Sequence, residues 1–87
     1  MELQEVKNTI HNILISYKGV DSTLINFDGV DTIITAPYIN SRQMEWASKK
    51  ILDKFPFIKH IYFVGGWTTY VFSRHSLEWA GYKFNHN

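Results

Sequence analysis

The chain has 87 residues, of which 45% are hydrophobic and 20% are charged, and its formal net charge is +1 at pH 7. This length allows one small domain, residues 1–87, and this composition is typical of a globular chain rather than a disordered one. The absence of cysteine excludes a disulfide framework, a thiolate zinc site and a cysteine nucleophile.

The sequence carries no pattern typical of membrane insertion. No apolar run approaches the roughly 18–20 residues that span a bilayer. Residues 1–18 contain Glu2 and Glu5 and lack a cleavage-site pattern, so they do not resemble a secretory signal. We therefore expect a cytoplasmic protein with no membrane contact.

Charge is distributed unevenly along the chain. Residues 1–37 hold two cationic and five acidic side chains, whereas residues 38–87 hold seven cationic and three acidic ones. The second half is therefore suited to an acidic partner, although the whole chain is close to neutral.

The first predicted element is an amphipathic helix that ends near Gly19. Its apolar stripe has helical spacing and consists of Leu3, Val6, Ile10, Ile13, Leu14 and Tyr17. Gly19 suits the left-handed position that terminates a helix. A helix of this length is marginal in isolation, so the stripe predicts docking against other elements.

A β-hairpin is predicted next, over residues 22–36. Asp28-Gly29 lies between alternating apolar and polar residues and favours a two-residue turn at these positions. Such a turn places Phe27 opposite Val30 in the paired strands.

A second helix is predicted from Asn40 to about Phe55. Asn40 followed by Gln43 has the spacing of a capping box, and Pro56 ends the helix. The inner stripe of this helix consists of Met44, Ala47, Ile51 and Phe55.

The second hairpin has bulky side chains on both faces. Its strands are predicted near residues 58–64 and 67–73 around Gly65-Gly66, with Val64 opposite Trp67. One face then carries Ile61, Phe63, Tyr70 and Phe72, and the other carries Ile58, His60, Tyr62, Val64, Trp67, Thr69 and Val71. The first set is the better core, because the second mixes threonine and histidine with amphipathic aromatic residues.

Helix, strand, turn and strand follow one another twice along the chain, so the sequence predicts a doubled α-β-β unit. We expect an α+β fold of two layers, with a four-stranded, mainly antiparallel sheet and two helices on one face. The pattern leaves the order of the strands open. Residues 74–87 are predicted to form a short C-terminal helix or an extended tail.

The second face of this hairpin is the predicted partner-binding surface, because a bare apolar patch is unusual on a solitary domain. Three alternatives remain for what covers this face. It is covered by a second copy of the chain in a homodimer, by another protein, or by the chain's own tail through Trp79, Tyr82 and Phe84. The predicted partner contacts are Trp67, Tyr62, Val64, His60, Thr69 and Val71. Trp67 and Tyr62 are the expected anchors, since aromatic side chains dominate interface energetics.

The sequence contains no recognisable catalytic constellation. Glycine-rich phosphate-binding loops and the nucleophile elbow of hydrolases are absent. The best residues for acid–base chemistry are His60, His75, Lys59 and Arg74. His75 and Glu78 form only a lone pair at helical spacing, and Asp28 and Asp31 are interpreted as solvated turn residues. The sequence therefore predicts no catalytic residue, no cofactor and no metal.

These features favour a small non-catalytic protein-binding module, an accessory adaptor or inhibitor of a bacterial, phage or mobile-element type. The alternative is a nucleic-acid-binding domain that stacks bases on Tyr and Trp side chains. The cations available for phosphate or for an acidic partner are Lys49, Lys50, Lys54, Lys59 and Arg74. The three lysines of the second helix are expected on its solvent side, away from the aromatic face. A small ribonuclease-type toxin is a third possibility, with histidine exchanging the proton.

Overall fold

The computed structural model describes residues 2–16, 24–35, 39–65 and 67–84. In chain order the elements are α1 (Leu3–Ile15), β1 (Leu24–Phe27), β2 (Asp31–Thr35), α2 (Ser41–Lys54), β3 (His60–Gly65), β4 (Thr68–Ser73) and α3 (Arg74–Trp79). This order confirms the doubled α-β-β plan and the short C-terminal helix. Tyr17 and Gly19, predicted near the end of the first helix, lie outside the described residues.

The four strands form one sheet in the order β1-β2-β3-β4. Each hairpin pairs its own strands antiparallel, and the two hairpins meet along β2 and β3, which are parallel. Parallel pairing is possible because α2 returns the chain from the end of β2 to the start of β3. The sheet is therefore mixed, with one parallel pair at its centre.

Both hairpin turns lie one residue later than the sequence predicts. Phe27 pairs with Thr32 rather than with Val30, and each residue of β3 pairs two positions further along β4 than predicted. Because the register shifts by two residues in each hairpin, the paired side chains keep their predicted faces.

Asp28 fixes the position of the first turn. Its carboxylate accepts hydrogen bonds from the backbone N–H groups of Asp31 and Val30, each at 2.9 Å. Gly29 has a φ of +105°, a conformation that favours glycine in hairpin loops. The loop residues are therefore Gly29 and Val30. The same N–H donors, that of Asp31 most strongly, hold the pKa of the Asp28 carboxyl below its ordinary value.

The core lies between the sheet and the two long helices. The helices bury Val6, Ile10, Leu14, Met44, Ala47, Ile51 and Leu52, and the strands bury Phe27, Thr32, Ile34, Ile61 and Phe63. Leu3 and Tyr70, predicted as core, are 49% and 47% exposed. Ile58, predicted on the opposite sheet face, is fully buried in the core, because β3 begins only at His60.

The predicted capping box of α2 is confirmed. Asn40 Oδ1 accepts from the N–H of Gln43, and Gln43 Oε1 accepts from the N–H of Asn40, both at 2.8 Å. These two bonds satisfy donors that the first turn of a helix leaves unpaired. Glu2 precedes α1 without any side-chain capping bond, so α2 has the better defined start.

Arg74 fastens the C-terminal end of α2. Its guanidinium donates to the carbonyl oxygen of Leu52 at 2.6 Å and to those of Ile58 and Phe55 at 3.3 and 3.4 Å. Carbonyl groups at a helix end lack intrahelical partners, so a cationic donor stabilises them. The guanidinium carbon also lies 5.3 Å from the centroid of the Phe84 ring, which links the C-terminal segment to this helix end.

The C-terminal segment packs on the helix layer. Leu77 and Phe84 are buried in the core, and Tyr82 packs against it. Gly81, with a φ of +103°, follows α3, and the N–H of Tyr82 donates to the carbonyl of Leu77 at 3.0 Å. This helix-ending arrangement turns the chain back, and Trp79 remains exposed. The suggestion that Trp79, Tyr82 and Phe84 cover the opposite sheet face is therefore wrong.

Candidate interaction site on the open sheet face

The sheet face opposite α1 and α2, hereafter the outer face, presents three rows of side chains across the strands. The first row contains Asp31, His60 and Ser73, the second contains Asn26, Ile33, Tyr62 and Val71, and the third contains Thr35, Val64 and Thr69. Side chains alternate between the two faces along each strand. The outer face therefore consists of the strand residues that alternate with those of the buried face.

The second row forms the apolar centre of the outer face. Ile33 is 41% exposed and Val71 is 51% exposed, and the half-buried Tyr62 lies between them. Val64, in the third row, is also half-buried. The second and third rows carry no charged residue among those the structure describes. A contiguous apolar patch of this kind is typical of interaction sites.

Five of the six predicted partner contacts lie on the outer face. They are Tyr62, Val64, Thr69, Val71 and His60. Trp67 does not lie on it: this residue lies between β3 and β4 and is fully exposed. Val64 pairs with Thr69 instead of Trp67, because the turn lies one residue later than predicted. Trp67 is therefore at the tip of the hairpin and not at the centre of the patch.

Ile33 is the outer-face residue that sequence reasoning missed. The predicted pairing of the first hairpin puts Ile33 on the face opposite to that of Phe27, but the sequence does not predict that Ile33 lies beside the second hairpin. The parallel pairing of β2 with β3 brings Ile33 next to Tyr62. The missing information was the strand order rather than the side-chain pattern.

Asp31 and His60 form a hydrogen-bonded pair at one end of the outer face. The His60 Nδ1 to Asp31 Oδ1 distance is 3.0 Å, and the side chains are 44% and 33% exposed. The His60 and Tyr62 rings are tilted, with centroids 5.9 Å apart. Asp31 is therefore not the solvated turn residue that the sequence predicts, because the parallel pairing places His60 directly beside it.

The predicted phosphate-binding cations are not assembled on the outer face. Arg74 holds the end of α2, and Lys49 Nζ lies 4.9 Å from the Tyr82 ring centroid, on the helix layer. Lys50 and Lys54 are exposed residues of α2. Lys59 is exposed just before β3, and its backbone N–H donates to Val30 at 2.8 Å. The helix cations and the apolar patch occupy different layers of the fold.

Two members of the predicted acid–base set have other partners. His60 has the Asp31 carboxylate as a partner, whereas the Arg74 guanidinium is committed to backbone carbonyls. His75 lies exposed on α3. Within the described residues, no group of three or more His, Asp or Glu side chains is placed to hold a metal ion.

A second apolar surface lies beside α1 and the first hairpin turn. This surface, the lateral groove, is lined by Leu3, Val6, Phe27, Gly29 and Phe57. Its exposed members are Leu3 at 49% and Phe57 at 40%. The ring of Phe57 lies 6.1 Å from that of the buried Phe27, so the groove is continuous with the core.

Comparison of the chain with protein-family models, with curated proteins and with solved structures finds no match. In the part of the chain that the structure describes, no helix has the length and apolar character needed to cross a membrane. A functional proposal therefore depends on the geometry of the outer face alone.

Proposed function

We propose that this chain is a non-catalytic protein-binding module that holds another protein on its outer face. The observation that carries the proposal is the uncharged apolar centre formed by Ile33, Tyr62 and Val71, which no described element covers. Apolar surface removed from water stabilises a complex by about 25 cal/mol per Å² before the costs of association. Tyrosine at the centre of such a patch is a frequent hot spot.

The partner suited to this face is flat and largely apolar, with polar groups at its margin. The Asp31–His60 pair lies along one side of the patch, and Thr35 and Thr69 lie along the other. An apolar centre with a hydrogen-bonding rim is the usual anatomy of a protein interface. The cations of α2 lie on the other layer, so the proposal does not include an acidic partner.

Nucleic-acid binding has less support, because base stacking needs cations on the same surface to hold the phosphates. Lys49, Lys50 and Lys54 lie on α2 instead. The two possibilities differ in salt dependence: phosphate contacts lose affinity steeply between low and moderate salt. We expect the measured affinity for the partner to change little over this range.

A ribonuclease is the second candidate function, and the Asp31–His60 hydrogen bond is the observation that favours it. A carboxylate that orients a histidine is a common part of acid–base sites. The test is RNA turnover by the wild type and by His60→Gln. Turnover that the substitution abolishes would replace the binding proposal with an enzymatic one.

The binding proposal is tested by affinity capture from an extract of the native host with two matched double variants. Ile33→Ser with Tyr62→Ser alters the outer face, and Leu3→Ser with Phe57→Ser alters the lateral groove. Circular dichroism and a urea midpoint establish that each variant is folded. We expect the outer-face variant to lose the protein that the wild type captures and the groove variant to keep it.

Two results would contradict the proposal. One is that the outer-face variant, still folded, captures the same protein as the wild type. The other is that only the lateral-groove variant loses the captured protein, which would move the interaction site to Leu3 and Phe57.

A further inference from the structure

β4 is an edge strand without the usual protection against pairing. It occupies one end of the sheet, and its sequence, TTYVFS, contains no charged residue and no proline. Natural edge strands are commonly protected by lysine, proline, bulges or a covering element. Thr68 through Val71 are exposed. Uncharged, β-branched and aromatic residues at an open edge favour addition of another strand.

The capping box of α3 shows which backbone groups of β4 face the open edge. The N–H of Ser73 donates to Ser76 Oγ at 3.1 Å, and Ser76 Oγ donates to the carbonyl of Ser73 at 3.0 Å. Ser73 therefore directs its backbone groups away from β3. In an antiparallel pair this direction alternates from residue to residue, so Val71 and Thr69 also face the edge. Their N–H and C=O groups have no partner among the described residues.

We propose that two copies of this chain form a dimer by antiparallel pairing of their β4 strands about a two-fold axis at Tyr70. In this register Thr69 lies opposite Val71 of the second copy, and the reverse pair is generated by symmetry. The two pairs exchange four hydrogen bonds, which satisfies the free backbone groups of Thr69 and Val71. A register centred on Val71 would instead use Ser73, whose backbone groups are already bonded.

The flank of this edge is compatible with a second copy. On the helix side, Phe72 lines a shallow groove with Arg42 and Glu45 of α2. Arg42 is cationic and Glu45 is an anion paired with Lys49 Nζ at 3.8 Å, so this flank carries charges of both signs and presents no block of like charge to a second copy. With no charge on β4 itself, pairing of identical strands brings no like charges together.

The proposed dimer uses the edge of the sheet and not its outer face, so it is separate from the proposed function. Pairing at the edge also enlarges the outer face. Four strands spaced about 4.8 Å apart and five residues long present a projected area of roughly 300 Å², whereas a standard interface takes about 800 Å² of accessible surface per partner. An eight-stranded sheet doubles the surface available to the same partner.

The chain lacks cysteine, so a single introduced cysteine reports on pairing between copies. Tyr70→Cys places two thiols directly opposite each other in a non-hydrogen-bonded pair, with Cα atoms about 4.5 Å apart, within disulfide range. Thr68→Cys is the matched control: it lies on the same face of β4 and is also exposed. Its two copies would be about 13 Å apart in this register.

In a glutathione redox buffer we expect Tyr70→Cys to form a disulfide-linked dimer and Thr68→Cys to remain a single chain. Equal cross-linking of the two variants, or none in either, would overturn the proposed register. Light scattering over a micromolar dilution series gives an independent measurement. We expect twice the mass of one chain at the upper end, and the mass of one chain throughout would overturn the dimer.

A charge exchange tests association between copies without relying on cysteine, and the outer-face variant described below distinguishes the edge from the outer face. One double variant carries Thr69→Lys and Val71→Lys, and the other carries Thr69→Glu and Val71→Glu. In the proposed register, each of them places like charges opposite each other when it pairs with itself. We expect each variant alone to be a folded monomer and an equimolar mixture to form a mixed dimer. A mixture that stays monomeric, or either variant remaining dimeric alone, would overturn the inference.

The outer-face variant Ile33→Ser with Tyr62→Ser separates this inference from the proposed function. Neither residue belongs to β4, so we expect this variant to keep the dimer mass while losing the captured partner. If it becomes monomeric, the two copies meet through the outer face and the edge-pairing proposal is wrong. If it keeps the captured protein, the proposed function fails and the dimer stands.

Discussion

Ile33 and Ile34 are neighbours in β2 with the same side chain, yet they lie in opposite environments. Ile34 is completely buried under the helices, whereas Ile33 is 41% exposed on the outer face beside Tyr62. The same strands thus supply two apolar surfaces, and only one of them is covered when the chain folds. An apolar residue in a strand therefore contributes to the stability of the fold only to the extent that it is buried, and the number of apolar residues in the strand does not measure that contribution.

The largest expected effect on the free energy of unfolding is that of Ile34→Ala, and Ile33→Ala is its matched comparison. Ile34→Ala removes buried methyl groups and leaves a cavity, so we expect the free energy of unfolding to fall by about 3–4 kcal/mol. Ile33→Ala loses only partial burial, and we expect a loss below about 1 kcal/mol. Urea unfolding measures both. Equal losses would mean that the outer face contributes to the fold as the core does.

Within β3 and β4 the sequence predicts correctly which side chains share a face, because an alternation of period two survives an error of two residues in register. Ile58 and Trp67, which lie outside these strands, are the exceptions. Phe63 and Tyr62 lie on their predicted sides of the sheet, although both turns lie one residue later than predicted. What the sequence could not supply is adjacency between the hairpins. The Ile33–Tyr62 contact row and the Asp31–His60 pair both depend on β2 lying parallel to β3, which no local pattern specifies.

The position of the tail was equally hidden from the sequence. The sequence predicts Arg74 as a cation available for phosphate or an acidic partner, but its guanidinium binds three carbonyl groups around the end of α2. Such contacts join residues far apart in the chain and depend on how the elements pack, so no local residue spacing in the sequence predicts them. Phe84, next to this guanidinium, is buried on the helix layer.

The next largest expected effect on the free energy of unfolding concerns the hydrogen bonds between Arg74 and the carbonyl groups at the end of α2. Arg74→Ala removes charged donors from the carbonyl groups of α2, and we expect the free energy of unfolding to fall by about 2–3 kcal/mol. Lys50→Ala, an exposed change on α2, should stay within about 0.5 kcal/mol. Equal effects of the two changes in thermal unfolding would show that Arg74 is an ordinary surface cation.

Substitution of Thr32 is expected to change the free energy of unfolding by a smaller amount and in the opposite direction, towards higher stability. Its hydroxyl oxygen is buried and has no hydrogen-bond partner among the described residues, a situation that costs free energy. We expect Thr32→Val to raise the free energy of unfolding by about 0.5–1 kcal/mol. Thr35→Val, in the same strand but exposed on the outer face, is the control and should change it less. A destabilised Thr32→Val variant would contradict this account of the buried face.

The smallest expected effect on stability concerns Asp28, whose carboxylate accepts the hydrogen bonds of the turn that precedes Ile33 and Ile34. The pKa of this carboxyl is lowered in the folded chain from its ordinary value of 3.8 by the N–H groups of Asp31 and Val30. Its contribution to stability is therefore present above pH 3.8 and is lost as the pH falls through the lower folded value. We expect Asp28→Asn to reduce the acid-side loss of stability in unfolding curves measured at several pH values. An unchanged pH profile would contradict this role for the carboxylate.

The most direct test of the central claim is site-specific photo-cross-linking in the native host, with a photoreactive phenylalanine analogue at position 62 or at position 57. Position 62 lies on the outer face, and position 57 lies in the lateral groove with comparable aromatic character. We predict a covalent adduct with another protein from position 62 and none from position 57. An adduct from position 57 alone, or an adduct from position 62 with the mass of two copies of this chain, would contradict the claim that the outer face holds a different protein.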